Sequence, residues 1–61
     1  MNYENLPKDP VMLLSFINTM LRDQYKTLDD LCDAFHVKKE SIVNTLSVID
    51  YIYDASLNQF I

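Results

Sequence analysis

His36 is the only histidine of this chain and Cys32 its only cysteine; Ser41 lies five residues beyond the histidine. Together they raise the question of a nucleophile–base pair. That chemistry needs the two groups within hydrogen-bond reach in a cleft, with a third group orienting the base. Cys32 instead falls in an apolar stripe with Leu28, Leu31 and Phe35, where a buried, inert thiol is expected. His36 stands where a helix must end and reads as a turn residue. A domain this small leaves little room for a substrate pocket. No enzymatic activity and no catalytic residue are expected.

Asp29, Asp30 and Asp33, with Asp54 further along, pose the question of a hard-cation site. A calcium loop alternates acids around a glycine, and this chain contains no glycine. Asp29 and Asp30 are explained as first-turn charges on a helix, and Asp33 as a solvated side chain. No Cys/His cluster has metal-ligand spacing, so neither metal nor cofactor is expected.

Two residue sets remain that could bind a macromolecule. Lys38, Lys39, Ser41, Asn44 and Thr45 make up the polar side of a short amphipathic segment. On DNA, the lysines would hold phosphates near a helix N-terminus while Asn44, Ser41 and Thr45 reached base edges in the major groove. The plainer reading is a solvated helix face. Met12, Phe16 and Met20 are the second set, an adaptable apolar strip suited to a protein partner. At helical spacing, such a strip also serves as core. Tyr3, Tyr51 and Tyr53 lack a basic groove around them, which favours packing over base stacking.

The elements that must position these residues centre on Thr27 to Leu46, TLDDLCDAFHVKKESIVNTL. Thr27 suits an N-cap, and Leu28, Leu31, Cys32 and Phe35 follow at i, i+3, i+4 and i+7. His36 takes the left-handed position usually given to Gly, and Val37 plugs the turn. A second helix runs from Lys39 to Ile49, with Ile42, Val43, Leu46 and Ile49 inward and Glu40, Ser41, Asn44 and Thr45 outward. This spacing predicts a helix-turn-helix, although Lys38 stands where Ser or Thr would cap the second helix. Asp50 is expected in the left-handed cap position that ends it.

Before this pair, Met1 to Lys8 reads as an arm that Tyr3 and Leu6 anchor. Asp9-Pro10 is a helix start. The helix PVMLLSFINTMLRD carries apolar residues over more than half its circumference, leaving Ser15, Asn18, Thr19 and Arg22 for the rest. That arc needs either intramolecular cover or a second subunit. After Asp50 the period changes. Tyr51 to Tyr53 and Phe60-Ile61 favour strands, Asp54 to Asn58 favours a turn, and Leu57 is expected to fold back onto the core.

Sixty-one residues make one domain, close to the lower size limit for independent folding. With 49% apolar residues the composition is globular. A single cysteine provides no internal disulfide, so stability rests on an efficient core or on self-association. A net charge of −4 opposes general nucleic-acid affinity, and the local basic patch of Lys26, Lys38 and Lys39 is thin. The absence of a leader or long apolar span predicts a cytoplasmic, non-membrane protein with no evident small-molecule substrate.

LPKDPVMLLSFINTMLRD, TLDDLC and IDYIYDASLNQFI together resemble a family of small bacterial proteins of about this length, catalogued only as a domain of unknown function. The resemblance runs from Leu6 to Ile61 and is most specific at Leu6-Pro7-Lys8-Asp9-Pro10, Met12-Leu13-Leu14-Ser15, Leu21-Arg22-Asp23 and Asn58-Gln59-Phe60. It implies a Gly at the position of Asp50, in keeping with a left-handed cap, and no activity or cofactor. The resulting expectation is a mainly α domain: three helices with a helix-turn-helix, like a reduced winged helix, closed by a C-terminal β-hairpin. Its segments are an arm (1–8), a first helix (9–23), the helix-turn-helix (27–50) and the hairpin (51–61). The expected function is a non-enzymatic interaction module, homodimeric through the first helix. The alternative is a small DNA-binding regulator using the helix from Lys39 to Ile49.

Overall fold

A computed structural model of the protein describes residues 6–61; the expected role of Tyr3 in anchoring the arm lies outside them. Three helices and a two-stranded hairpin follow in order.

Helix α1 spans Pro10–Asp23. The Asp9 carboxylate accepts from the Met12 N–H at 3.1 Å, and Pro10 occupies the first turn, where its missing N–H costs nothing. Leu13, Ile17 and Leu21 are its buried line. Helix α2 spans Leu28–Phe35 and starts on Thr27, whose hydroxyl accepts from the Asp30 N–H at 3.1 Å. It ends at His36, with φ at 55°. There the His36 N–H donates to Asp33 and the Val37 N–H to Cys32, the paired bonds of a Schellman cap.

Helix α3 spans Lys39–Ser47, two residues shorter than the expected run to Ile49. The cause is local. Val48, Ile49 and Asp50 donate to Thr45, Leu46 and Ser47 in a tightened i→i+3 turn, and Tyr51 donates back to Leu46. Asp50, with φ at 66°, closes this second Schellman cap. The N-terminal cap of α3 is Lys38, and no side-chain hydrogen bond supports it.

Strands β1 (Tyr53–Asp54) and β2 (Gln59–Phe60) pair antiparallel, Tyr53 opposite Phe60 and Asp54 opposite Gln59. β1 keeps only Tyr53 of the expected Tyr51–Tyr53 and adds Asp54, and β2 begins one residue before the expected Phe60–Ile61, although the ladder continues one pair outward, Ile52 and Ile61 exchanging both backbone bonds at 3.0 and 2.9 Å. The Asp54 carboxylate builds the turn by accepting from the Ser56 N–H, the Ser56 hydroxyl and the Leu57 N–H. Leu57 does not fold back onto the core: it is 58% exposed at the turn tip, its N–H held by Asp54. Phe60, 2% exposed, fills the core position instead.

The core joins Leu13, Ile17 and Leu21 of α1, Leu28, Leu31, Cys32 and Phe35 of α2, Ile42 and Leu46 of α3, and Phe60 of β2. Burying a large apolar side chain contributes about 1.5–3 kcal/mol, and each helix and β2 holds at least one such anchor. A two-stranded hairpin is marginal alone. Here three side chains fasten it to the helices. The Asn18 amide accepts from the Phe60 N–H at 2.8 Å and donates to the Phe60 carbonyl at 3.1 Å, completing the open edge of β2 as a strand would. Asn58 donates to the carbonyls of Leu21 and Tyr25, both at 3.0 Å. The Tyr53 hydroxyl donates to Asn58 and accepts from the Leu28 N–H. Asn18 is therefore a clamp, where the sequence pattern placed it on the polar side of the helix.

Candidate functional site

The polar face of α3 comes first. Lys38, Lys39, Ser41 and Asn44 are exposed, as expected; Thr45 is half-buried. The Thr45 hydroxyl donates to the Ser41 carbonyl at 2.8 Å, the back-bonding that Ser and Thr make inside helices. Ser41 and Thr45 also border a shallow, largely apolar cleft of about 270 Å³, shared with Leu6, Pro7, Leu13 and Ile42. The segment preceding α1 thus flanks this face and narrows it.

The charge on this face is partly answered within the chain. The Lys39 ammonium lies 3.3 Å from the Asp29 carboxylate on α2. Both groups are exposed, so the pair adds little stability. It nevertheless places an acid beside one of the two lysines that would have to meet a phosphate. Packing on α2 brings Asp29 there, which sequence spacing alone did not reveal.

The apolar strip of α1 divides. Phe16 is half-buried, its ring edge-on to Phe35 at 5.8 Å, and Met20 is half-buried against the core. Intramolecular packing therefore covers much of the wide apolar arc. Met12 is different: it is 62% exposed, as is Val11 beside it. Next to Met12 runs an open groove of about 380 Å³ lined by Pro7, Met12, Ser15, Phe16 and Thr19. The predicted strip is thus one projecting methionine and one half-covered phenylalanine that floors a groove.

A second exposed apolar pair was missed. Ile52 and Ile61 face each other across the ladder on the side away from Tyr53 and Phe60, 68% and 53% exposed. Both read only as strand formers; the register decided which side they occupy.

Cys32 is buried in the core, and burial first, then the nearby Asp29 charge, pushes its thiol above the ordinary value. It is a packing residue, protonated at neutral pH. Among the described residues, no group of three or more His, Cys, Asp or Glu could hold a metal ion, and no helix is long and apolar enough to cross a membrane. A surface concavity of about 540 Å³ along Ser15, Asn18, Arg22 and Asn58 contains the two clamp asparagines, whose amides are already engaged by backbone groups.

Comparison with curated proteins and with solved structures gives no match. Residues 7–60 match the family described as a domain of unknown function (DUF4250), and at that coverage the chain belongs to this family.

Proposed function

We propose that this protein is a non-enzymatic interaction module that associates with itself through the exposed flank of α1. The observation that carries the reading is the projection of Met12, 62% exposed, beside a groove whose floor is the half-buried Phe16. Flexible, polarisable Met beside an aromatic is a common composition for partner surfaces. A short domain without disulfides also gains stability by association. Met12→Glu tests it: the side chain stands outside the core, so the fold should persist by circular dichroism while association measured by sedimentation is lost. Unchanged sedimentation would refute the reading. Phe16→Glu is a poorer test, because Phe16 packs on Phe35 and its loss would disturb the core.

A second reading, a DNA-binding regulator using α3, is favoured by one observation. The first turn of α3 lacks a side-chain cap, and Lys38, Ser41 and Asn44 stand exposed around it. The net charge of −4 and the Lys39–Asp29 pair weigh against it. Titration of a mixed-sequence duplex at low and then moderate salt separates the two readings. Salt-sensitive shifts confined to residues 38–45, lost in the variant with Lys38→Glu and Lys39→Glu, would favour DNA.

A further inference from the structure

The geometry points to the open edge of β1 as a docking site for one extended strand of a partner protein. That strand runs antiparallel to β1, with a basic residue opposite Asp54 and an apolar one opposite Ile52. The inference is independent of self-association through α1.

The fold treats the two edges of the hairpin differently. Ile52 bonds Ile61 and Asp54 pairs with Gln59 at the bonded positions of the ladder. The backbone N–H and carbonyl of Phe60 and of Tyr53 therefore point outward, one pair on each edge. Asn18 of α1 answers the Phe60 pair. No group among the described residues answers the Tyr53 pair, although the Tyr53 hydroxyl is engaged. α1 packs along β2, whereas β1 makes its main contact with β2 alone. An open concavity of about 470 Å³ borders the free edge, lined by Ile52, Tyr53, Asp54, Ala55 and Ile61. Edges left to water are commonly blunted by Lys or Pro. This one has neither, and Ile52 on it is 68% exposed. An extended chain supplies the missing N–H and carbonyl together.

Side chains then select the occupant. Residues two apart share a face of a strand, so Ile52 and Asp54 stand side by side on the face away from Phe60. The turn takes all three of its bonds from the Oδ1 atom of Asp54. Oδ2 has no partner among the described residues and is left for a cation. Lys39 is the last basic residue of the chain, while Glu40, Asp50 and Asp54 follow it. A second copy pairing β1 with β1 about Tyr53 would set Asp54 against Ile52 and bring no base. A strand from another protein can satisfy both positions. Its residue facing Tyr53 exchanges two backbone bonds; the residue before lies opposite Asp54 and the residue after lies opposite Ile52. The sequence class recognised is basic–any–apolar, read from N to C. Two backbone bonds and one exposed ion pair make a weak, transient contact.

The probe is an acetylated and amidated peptide, TTKTVTT, titrated into the full chain and followed by amide NMR, with the reversed TTVTKTT as control. TTKTVTT should give saturable shifts at residues 52–55 and slow the amide exchange of Tyr53. The Hα of Ile52 and that of the peptide valine should show an Overhauser contact, because they face each other at a non-bonded pair. TTVTKTT should bind about two- to fivefold more weakly, the range of one cross-strand pair, and Asp54→Asn should erase that preference. Met12→Glu should leave the peptide contact unchanged, which separates this site from the α1 surface. No saturable shift with either peptide at millimolar concentration, or equal affinity for the two, would overturn the proposal. Shifts at residues 52–55 that grow with protein concentration alone would assign the edge to a second copy and overturn it as well.

Discussion

Replacing Asn18 by Ala should detach the hairpin from the helices. The Phe60 N–H and carbonyl point away from β1, because the Ile52–Ile61 and Asp54–Gln59 pairs occupy the bonded positions of the ladder. Asn18 is the group that satisfies both, at 2.8 and 3.1 Å. Its loss strands two backbone groups beside a side chain that is 2% exposed. Each buried group left without a partner costs about 1–3 kcal/mol. Asn18 borders an open concavity, so water reaches part of the site and the low end applies. The expected loss is about 2–4 kcal/mol, a large part of the stability available to a domain of this size. In thermal unfolding followed by circular dichroism, this lowers the midpoint by about 10 °C or more. Amide exchange at Ile52 and Ile61 should accelerate at the same time, because the ladder is held only through its anchors. Thr19→Ala, one residue along on the exposed side, serves as control and should stay within about 0.5 kcal/mol. A loss below about 0.5 kcal/mol in Asn18→Ala, with protection retained at Ile52 and Ile61, would refute the clamp.

Asp50 and Asn58 hold similar positive φ angles, 66° and 52°, yet glycine should act on them in opposite directions. Asp50→Gly relieves the left-handed penalty and should stabilise by about 0.5–1 kcal/mol; Asn58→Gly relieves the same strain but removes three hydrogen bonds and should destabilise by about 1–3 kcal/mol in urea unfolding. The Asp54 carboxyl is held below its ordinary value, first by the Ser56 hydroxyl and then by the Leu57 N–H. Its folded pKa is depressed, so its contribution is present above the ordinary carboxylate range and is lost as pH falls through the lowered value. Asp54→Asn should therefore flatten the acid limb of a stability–pH curve below about pH 4, and an unchanged limb would refute the assignment. Cys32 should react with a chromogenic thiol reagent at the rate of global opening and speed up in parallel with unfolding in denaturant, because its thiol is buried and raised; rapid reaction in the native state would contradict its core placement.

The legible parts of the fold were those governed by neighbours in sequence. Asp9, Pro10 and Thr27 announce helix starts because a cap bonds an N–H three residues away. His36, Asp50 and Asn58 were identifiable as turn residues because a chain without glycine must give its left-handed positions to Asp, Asn or His. The end of α3 was read two residues late because Ile49 keeps the apolar period even after the backbone has tightened. Leu57 was misplaced for a similar reason. Apolar character says that a residue gains by burial; the hairpin register and the bonds of Asp54 decide whether it can. The candidate surfaces were partly legible: α3 presents Lys38, Lys39, Ser41 and Asn44 as expected, whereas Thr45, Phe16 and Met20 are half-covered by their own chain.

The sequence by itself determined where the helices start, the left-handed residues that cap them, the apolar line of each and the hairpin turn, since each depends on contacts a few residues apart. Tertiary structure decided what the polar residues do. Asn18 reaches Phe60 across 42 positions, and Asn58 reaches Leu21 across 37. Lys39 meets Asp29 because α2 and α3 pack together. A polar side chain on a helix face looks the same in sequence whether it meets water, a distant backbone or an opposite charge. Only the packed arrangement of the helices and hairpin distinguishes these cases.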